Sequence, residues 1–134
     1  MENTILQIDQ VLSSVETAVK NLSWLVADKL DNPDYMYEIT QQLLRSNPHV
    51  VGSAIAFEPL YYPEKGVLYS PYSYLTEKGI ESKQLGTEDY EYHYMDWYLI
   101  PKLLGKPYWS EPYFDEGGAD LVMTTFSLPI YDAE

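Results

Sequence analysis

Six apolar residues, Ile8, Leu12, Val15, Val19, Leu22 and Val26, recur at alternating spacings of four and three. Only a helix puts such positions on one face, and the alternation is the heptad pattern of helices that pack along a seam. The pattern predicts one helix over 3–30, filling an N-terminal segment 1–30. At ~1.5 Å per residue it would be more than roughly 35 Å long. A chain of 134 residues forms one domain, and one domain needs no helix of that length for its own core. The helix is therefore expected to lie across a sheet and also to pair weakly, in parallel, with a second copy through its N-terminal half.

The rest of the chain, 31–134, reads as alternating short elements. Asn32 before Pro33 leaves the helical region, and Pro33 then suits the start of a second helix over 33–46, closed by Asn47-Pro48. Val50 to Phe57 alternates bulky and small residues, as a strand covered on both faces does. Val67 to Tyr74 is a second strand, with Pro71 marking an edge or a bulge. Thr76 to Gly86 is polar and reads as a loop. A short helix is expected from Trp97, capped by Asp96 and ended by Gly105. Trp109 to Phe114 and Asp120 to Leu128 read as strands joined by a hairpin at Asp115-Glu116-Gly117-Gly118. In the latter strand Phe126 and Leu128 should face the helices, and Thr125 and Ser127 the other side. A hairpin partner for 120–128 is expected beyond Glu134, so the sheet reads as incomplete at its C-terminal end.

Composition removes several functions. The net charge is −13 and acidic residues are spread along the chain, which disfavours nucleic acid and anionic lipid surfaces. With no cysteine there is neither a disulfide framework nor a thiolate metal site. The two histidines, His49 and His93, stand at no metal-ligand spacing. Asp115, Glu116 and Asp120 around Gly117-Gly118 form at best a weak calcium loop, without the EF-hand pattern. No cofactor is implied and no catalytic motif is present, so the domain is not expected to be an enzyme. No run approaches the ~20 apolar residues of a membrane span.

One stretch remains. Tyr90 to Asp115 holds two of the three tryptophans and six of the fourteen tyrosines. It is too polar for a plain core strand and, with Pro101 and Pro107, too irregular for one helix. Its two readings are the wall of a concave pocket and a tyrosine-rich surface loop packed on a sheet.

The element order, with Asp96-Trp97-Tyr98, Trp109-x-x-Pro112-Tyr113-x-Asp115 and Thr125-x-Ser127-x-Pro129, resembles the Cache sensor domains. These are PAS-like domains on the extracytoplasmic side of bacterial membrane receptors. The likeness covers essentially the whole chain and is strongest over 90–132. The run from Met95 to Gly118 is similar to the version in sensor histidine kinases and SpoIIE-type membrane serine phosphatases; chemoreceptors carry related forms. The resemblance implies an α/β (α+β) fold, a central antiparallel sheet with the long helix packed on one face. It implies a periplasmic sensing role in an integral membrane protein anchored by flanking segments. In amino-acid-binding members a tyrosine, an arginine and a Trp-Tyr pair precede a Tyr-x-Asp. Tyr90, Trp97, Tyr98, Tyr113 and Asp115 match; the arginine falls on Met95. The resemblance thus implies a ligand site of Tyr90, Trp97, Tyr98, Trp109, Tyr113 and Asp115, with Thr125 or Ser127 on its floor. Without the arginine, the expected ligand is a small neutral or cationic molecule and not a free α-amino acid. The rival reading is a stand-alone glycan- or peptide-binding module using exposed aromatics.

Overall fold

The computed structural model describes residues 2–110, 113–114 and 122–131, with side chains for 9–110 and 124–131. Helix α1 runs Glu2–Asp28, close to the expected span. The apolar stripe turns inward: Val26 is buried, Leu22 packs on the core, and Leu12, Val15 and Val19 are half-buried. Helix α1 ends at Asp28, Asn32 lies outside the helical region at φ −129° and ψ 81°, a 3-10 turn follows over Pro33–Tyr35, and α2 runs Met36–Ser46. Met36, Ile39, Thr40, Leu43 and Leu44 form its buried face.

Strands β1 (Gly52–Ala54), β2 (Pro71–Thr76) and β3 (Gly79–Gln84) make one antiparallel sheet in the order β1-β2-β3. Pairing of β1 extends beyond the strand proper, with Leu75 N–H bonded to Val51 O at 3.0 Å and Phe57 N–H to Tyr69 O at 3.1 Å. Two expectations change here. The segment 76–86 is not a loop but a hairpin into β3, turned at Gly79 with φ 122°. Its polarity reflects an edge strand, where charges such as Glu81 and Lys83 face water. Pro71 sits at the first residue of the central strand, not in an edge strand. Gln84, paired opposite Pro71, makes this tolerable. Its carboxamide oxygen accepts the N–H groups of Ser70 (2.8 Å) and Gly86, and its nitrogen donates to Leu68 O (3.1 Å) and Gly86 O (2.8 Å). A side chain thereby continues the ladder where proline has no N–H to give.

Helix α2 covers one face of this sheet through a chain of hydroxyls. Gln41 donates to Ser82 (3.0 Å), Ser82 meets Ser73 (2.7 Å), Ser73 meets Thr40 (2.8 Å), and Thr40 donates to Tyr37 O (2.9 Å). Thr40 and Ser73 are fully buried, so this satisfaction is what makes them affordable in a core. The core proper is Val26, Met36, Ile39, Phe57, Tyr62 and Tyr69. Its tyrosines are pinned to backbone, Tyr62 donating to Leu30 O (2.5 Å) and Tyr69 to Pro33 O (2.8 Å).

The C-terminal strands form separate ladders. Strand β4 (Tyr108–Trp109) pairs with β7 (Phe126–Ser127), and β5 (Tyr113–Phe114) with β6 (Val122–Met123). The single strands expected over 109–114 and 120–128 are each interrupted, and 120–128 does not join the sheet of 50–57 among the described residues. The cause is a slip of register. Trp109 opposes Phe126, but Tyr113 opposes Met123, so one residue is extra on one side. Ser110 fills the slip: its N–H bonds Thr125 O (2.8 Å), its Oγ accepts Thr125 N–H (2.9 Å), and its carbonyl accepts the Thr124 hydroxyl (2.6 Å). The hairpin expected at 115–118, with its calcium-loop carboxylates, and any partner beyond Glu134 lie outside the described residues. The fold is a mixed antiparallel sheet and helix arrangement with a long N-terminal helix, as the expected α/β (α+β) class requires. No helix among the described residues is long and apolar enough to cross a membrane.

Candidate functional site

Tyr92 anchors the aromatic stretch. It lies in a 3-10 turn, Tyr92–Tyr94, and is 0% exposed. Its hydroxyl donates to Phe57 O (2.5 Å) and accepts Tyr69 N–H (3.1 Å), fastening the stretch to the start of β2 and the end of the β1 pairing. Burial pushes its phenol above the ordinary tyrosine value.

Helix α3, Asp96–Leu104, begins immediately after this turn. Met95, not Asp96, occupies its N-cap, and no side-chain cap bond forms. Gly105 ends it in the left-handed region at φ 67°, its N–H bonded to Pro101 O at 2.8 Å. The first turn of α3 places Trp97 and Tyr98 beside Tyr92, with ring centroids 6.2 and 5.5 Å away. Trp97 Nε1 donates to the Tyr90 hydroxyl at 2.9 Å. Three predicted residues, Tyr90, Trp97 and Tyr98, are thus brought together.

Tyr98 also hydrogen-bonds Glu58, and its phenol is raised by burial first and by the Glu58 carboxylate second. Lys102, one turn on from Tyr98, ion-pairs with Glu58 at 2.8 Å and stands 5.8 Å from the Tyr98 ring centroid. Glu58, Tyr92 and Lys102 were not among the predicted residues. Glu58 belongs to no sequence motif, and its partners Tyr98 and Lys102 lie some forty residues away in sequence.

Trp109 belongs to a second cluster. Its ring packs on Phe126 (4.9 Å, 40°), and its Nε1 donates to Glu16 of α1 at 2.5 Å. Directly opposed residues share a face of a ladder, so Trp109 and Phe126 lie together, and Thr125 and Ser127 point the other way. The side chains of Tyr113 and Asp115 lie outside the described residues. A groove of about 690 Å³ lies away from both clusters. It is an open channel between α1 and α2, lined by hydroxyl and amide residues such as Ser13, Thr17, Asn21 and Gln42, with no aromatic ring. Among the described residues no cluster of acidic or histidine side chains could hold a metal ion.

Residues 36–134 match the family model of the methyl-accepting chemotaxis protein-like, first PDC sensor domain. The extracellular domain of soHK1S-Z6, assigned as a histidine kinase, is 30% identical, with a TM-score of 0.74 over 92% of this chain and 49% of that one. The methyl-accepting chemotaxis protein X is 16% identical, with a TM-score of 0.60 over 98% of this chain and 57% of that one, and shares the fold. The chain therefore spans about half the length of these solved structures. No curated protein matches it. These relatives agree with the sensor class of histidine kinases and chemoreceptors, and domains of this class sense without catalysing. With the match extending over α2, the sheet and the aromatic stretch, the chain belongs to the family of chemotaxis-protein-like first PDC sensor domains.

Proposed function

We propose that the chain is the extracytoplasmic ligand-sensing unit of a bacterial transmembrane signalling protein of Cache type. It would report to a histidine kinase, a SpoIIE-type phosphatase or a chemoreceptor module. The observation that carries this reading is the family match over 36–134. The extracellular placement of the histidine-kinase relative supports the location. Ligand binding is relayed through α1, which also pairs with a second copy through its N-terminal half.

The ligand is a small neutral or cationic molecule bound at Tyr90, Trp97 and Tyr98, to which the resemblance adds Tyr113 and Asp115; Trp109, whose indole turns to Glu16 of α1, and Thr125 and Ser127 belong to the neighbouring ladder. Aromatic faces attract a cation by roughly 0.5–2 kcal/mol each. Lys102 supports the exclusion of free α-amino acids, because its ammonium is already neutralised by Glu58. A ligand carboxylate would have to displace Glu58 or be buried without a partner, at several kcal/mol. The test is a thermal-shift screen of amines, amino acids, sugars, oligosaccharides and carboxylates. Amines or neutral compounds should stabilise the wild type and not Trp97→Ala. Stabilisation by a free amino acid that disappears in Lys102→Ala would show the opposite ligand class. Stabilisation by oligosaccharides alone would favour a glycan-binding module.

A further inference from the structure

Glu16 and Trp109 are 93 residues apart, and their hydrogen bond is a polar tie between α1 and the β4 and β7 ladder. Three features set it apart from an ordinary packing contact. Glu16 accepts from a neutral indole and forms no ion pair among the described residues. A bond with one charged partner is stronger than a neutral one but exposes no second charge when broken, so it suits a contact that opens and closes. Trp109 sits in a ladder only two residues long, beside the register slip at Ser110. Short ladders open locally at low cost. Finally, α1 has 27 residues and, at ~1.5 Å each, is a rod of about 40 Å, so a shift imposed at Glu16 is carried to its far end.

We propose that Glu16 is the positioning residue that couples the aromatic cluster on α3 to α1: α3 packs on the β4 and β7 ladder, Glu16 holds the Trp109 indole of that ladder, and a ligand that moves α3 moves this ring and the helix. The inference rests on the sensing role proposed above and adds the contact through which it acts. A ligand shifts α1 only if it binds differently to the tied and released indole.

The experiment uses the full chain labelled with nitrogen-15. Its three tryptophans give three indole N–H signals, assigned by replacing each with phenylalanine. Glu16→Leu should move the Trp109 indole signal and leave those of Trp24 and Trp97 in place, which also shows that the variant is folded. Glu16→Gln keeps an acceptor and should change little. Amide exchange over residues 12–20 should be about tenfold faster in both Glu16→Leu and Trp109→Phe, the fold-change of one lost charge-assisted bond. The double variant should be no faster than either single one, because both remove the same contact. Unchanged exchange, or additive effects, would overturn the coupling. Phenethylammonium chloride is then titrated as a cationic aromatic probe. The probe should slow or speed α1 exchange in the wild type, while in Glu16→Leu it should move only the Trp97 signal. An α1 response that survives Glu16→Leu overturns the proposal. If the probe moves no indole signal in the wild type, the cationic-ligand reading is what fails, and the exchange of the two variants still decides the coupling.

Discussion

At the scale of single residues, side chains here repair what the backbone leaves open. Gln84 uses all of its carboxamide bonding on four backbone groups around the Pro71 end of β2. Gln84→Ala should cost about 1–3 kcal/mol in urea denaturation, the usual penalty for orphaned backbone groups. Gln84→Glu should be no better, since it points an oxygen at the carbonyls of Leu68 and Gly86. A loss near zero for both would mean water replaces the amide. The tyrosines give a second prediction. Burial raises the phenols of Tyr69, Tyr92 and Tyr98 above the unfolded value of about 10. Above that pH the unfolded chain releases protons that the folded chain keeps. The stability these groups contribute is complete below pH ~10 and lost as pH rises toward their folded values. Thermal stability should therefore fall beyond pH ~10, and Tyr98→Phe should soften the decline. An alkaline decline unaltered by Tyr98→Phe and Tyr69→Phe would assign it to other groups.

At the scale of elements, helices were legible and strands less so. The apolar stripe, Asn32-Pro33 and Gly105 mark α1, α2 and α3 because local punctuation is enough to start and stop a helix. Strand β3 was hidden because an edge strand carrying Glu81 and Lys83 has the composition of a loop. The register slip at Ser110 was hidden because it depends on a partner fourteen residues away. The aromatic stretch was half legible. Trp97 and Tyr98 follow from their place on α3, but Tyr92 looked like one more tyrosine of the group. Its role depends on the carbonyl of Phe57, 35 residues earlier. The same holds for Trp109, whose partner Glu16 lies on α1. The stripe on α1 also divides by position. Leu22 and Val26 serve the core, whereas Leu12, Val15 and Val19 remain half-buried and available to a second copy. Leu12→Asp should abolish concentration-dependent self-association in light scattering without lowering helicity. Identical behaviour of wild type and variant at high concentration would place the pairing elsewhere or remove it.

At the scale of the whole molecule, an α/β body carries its aromatic cluster on α3, tied to the sheet through Tyr92 and packed on the ladder whose Trp109 bonds α1. That is the layout a sensor needs: a site, a scaffold and a long helix that both feel. The family match supplies the class, and the proposed ligand and relay give it content. The most direct measurement joins them. The chain is placed in a chimeric receptor in front of a histidine kinase output, and phosphorylation is followed while compounds that stabilise the isolated chain are added. Output should change saturably with each stabilising compound, and the response should vanish in Trp97→Ala while basal output remains. Compounds that bind the chain fully yet leave the output of an active chimera flat would contradict the assignment of this domain as a sensor.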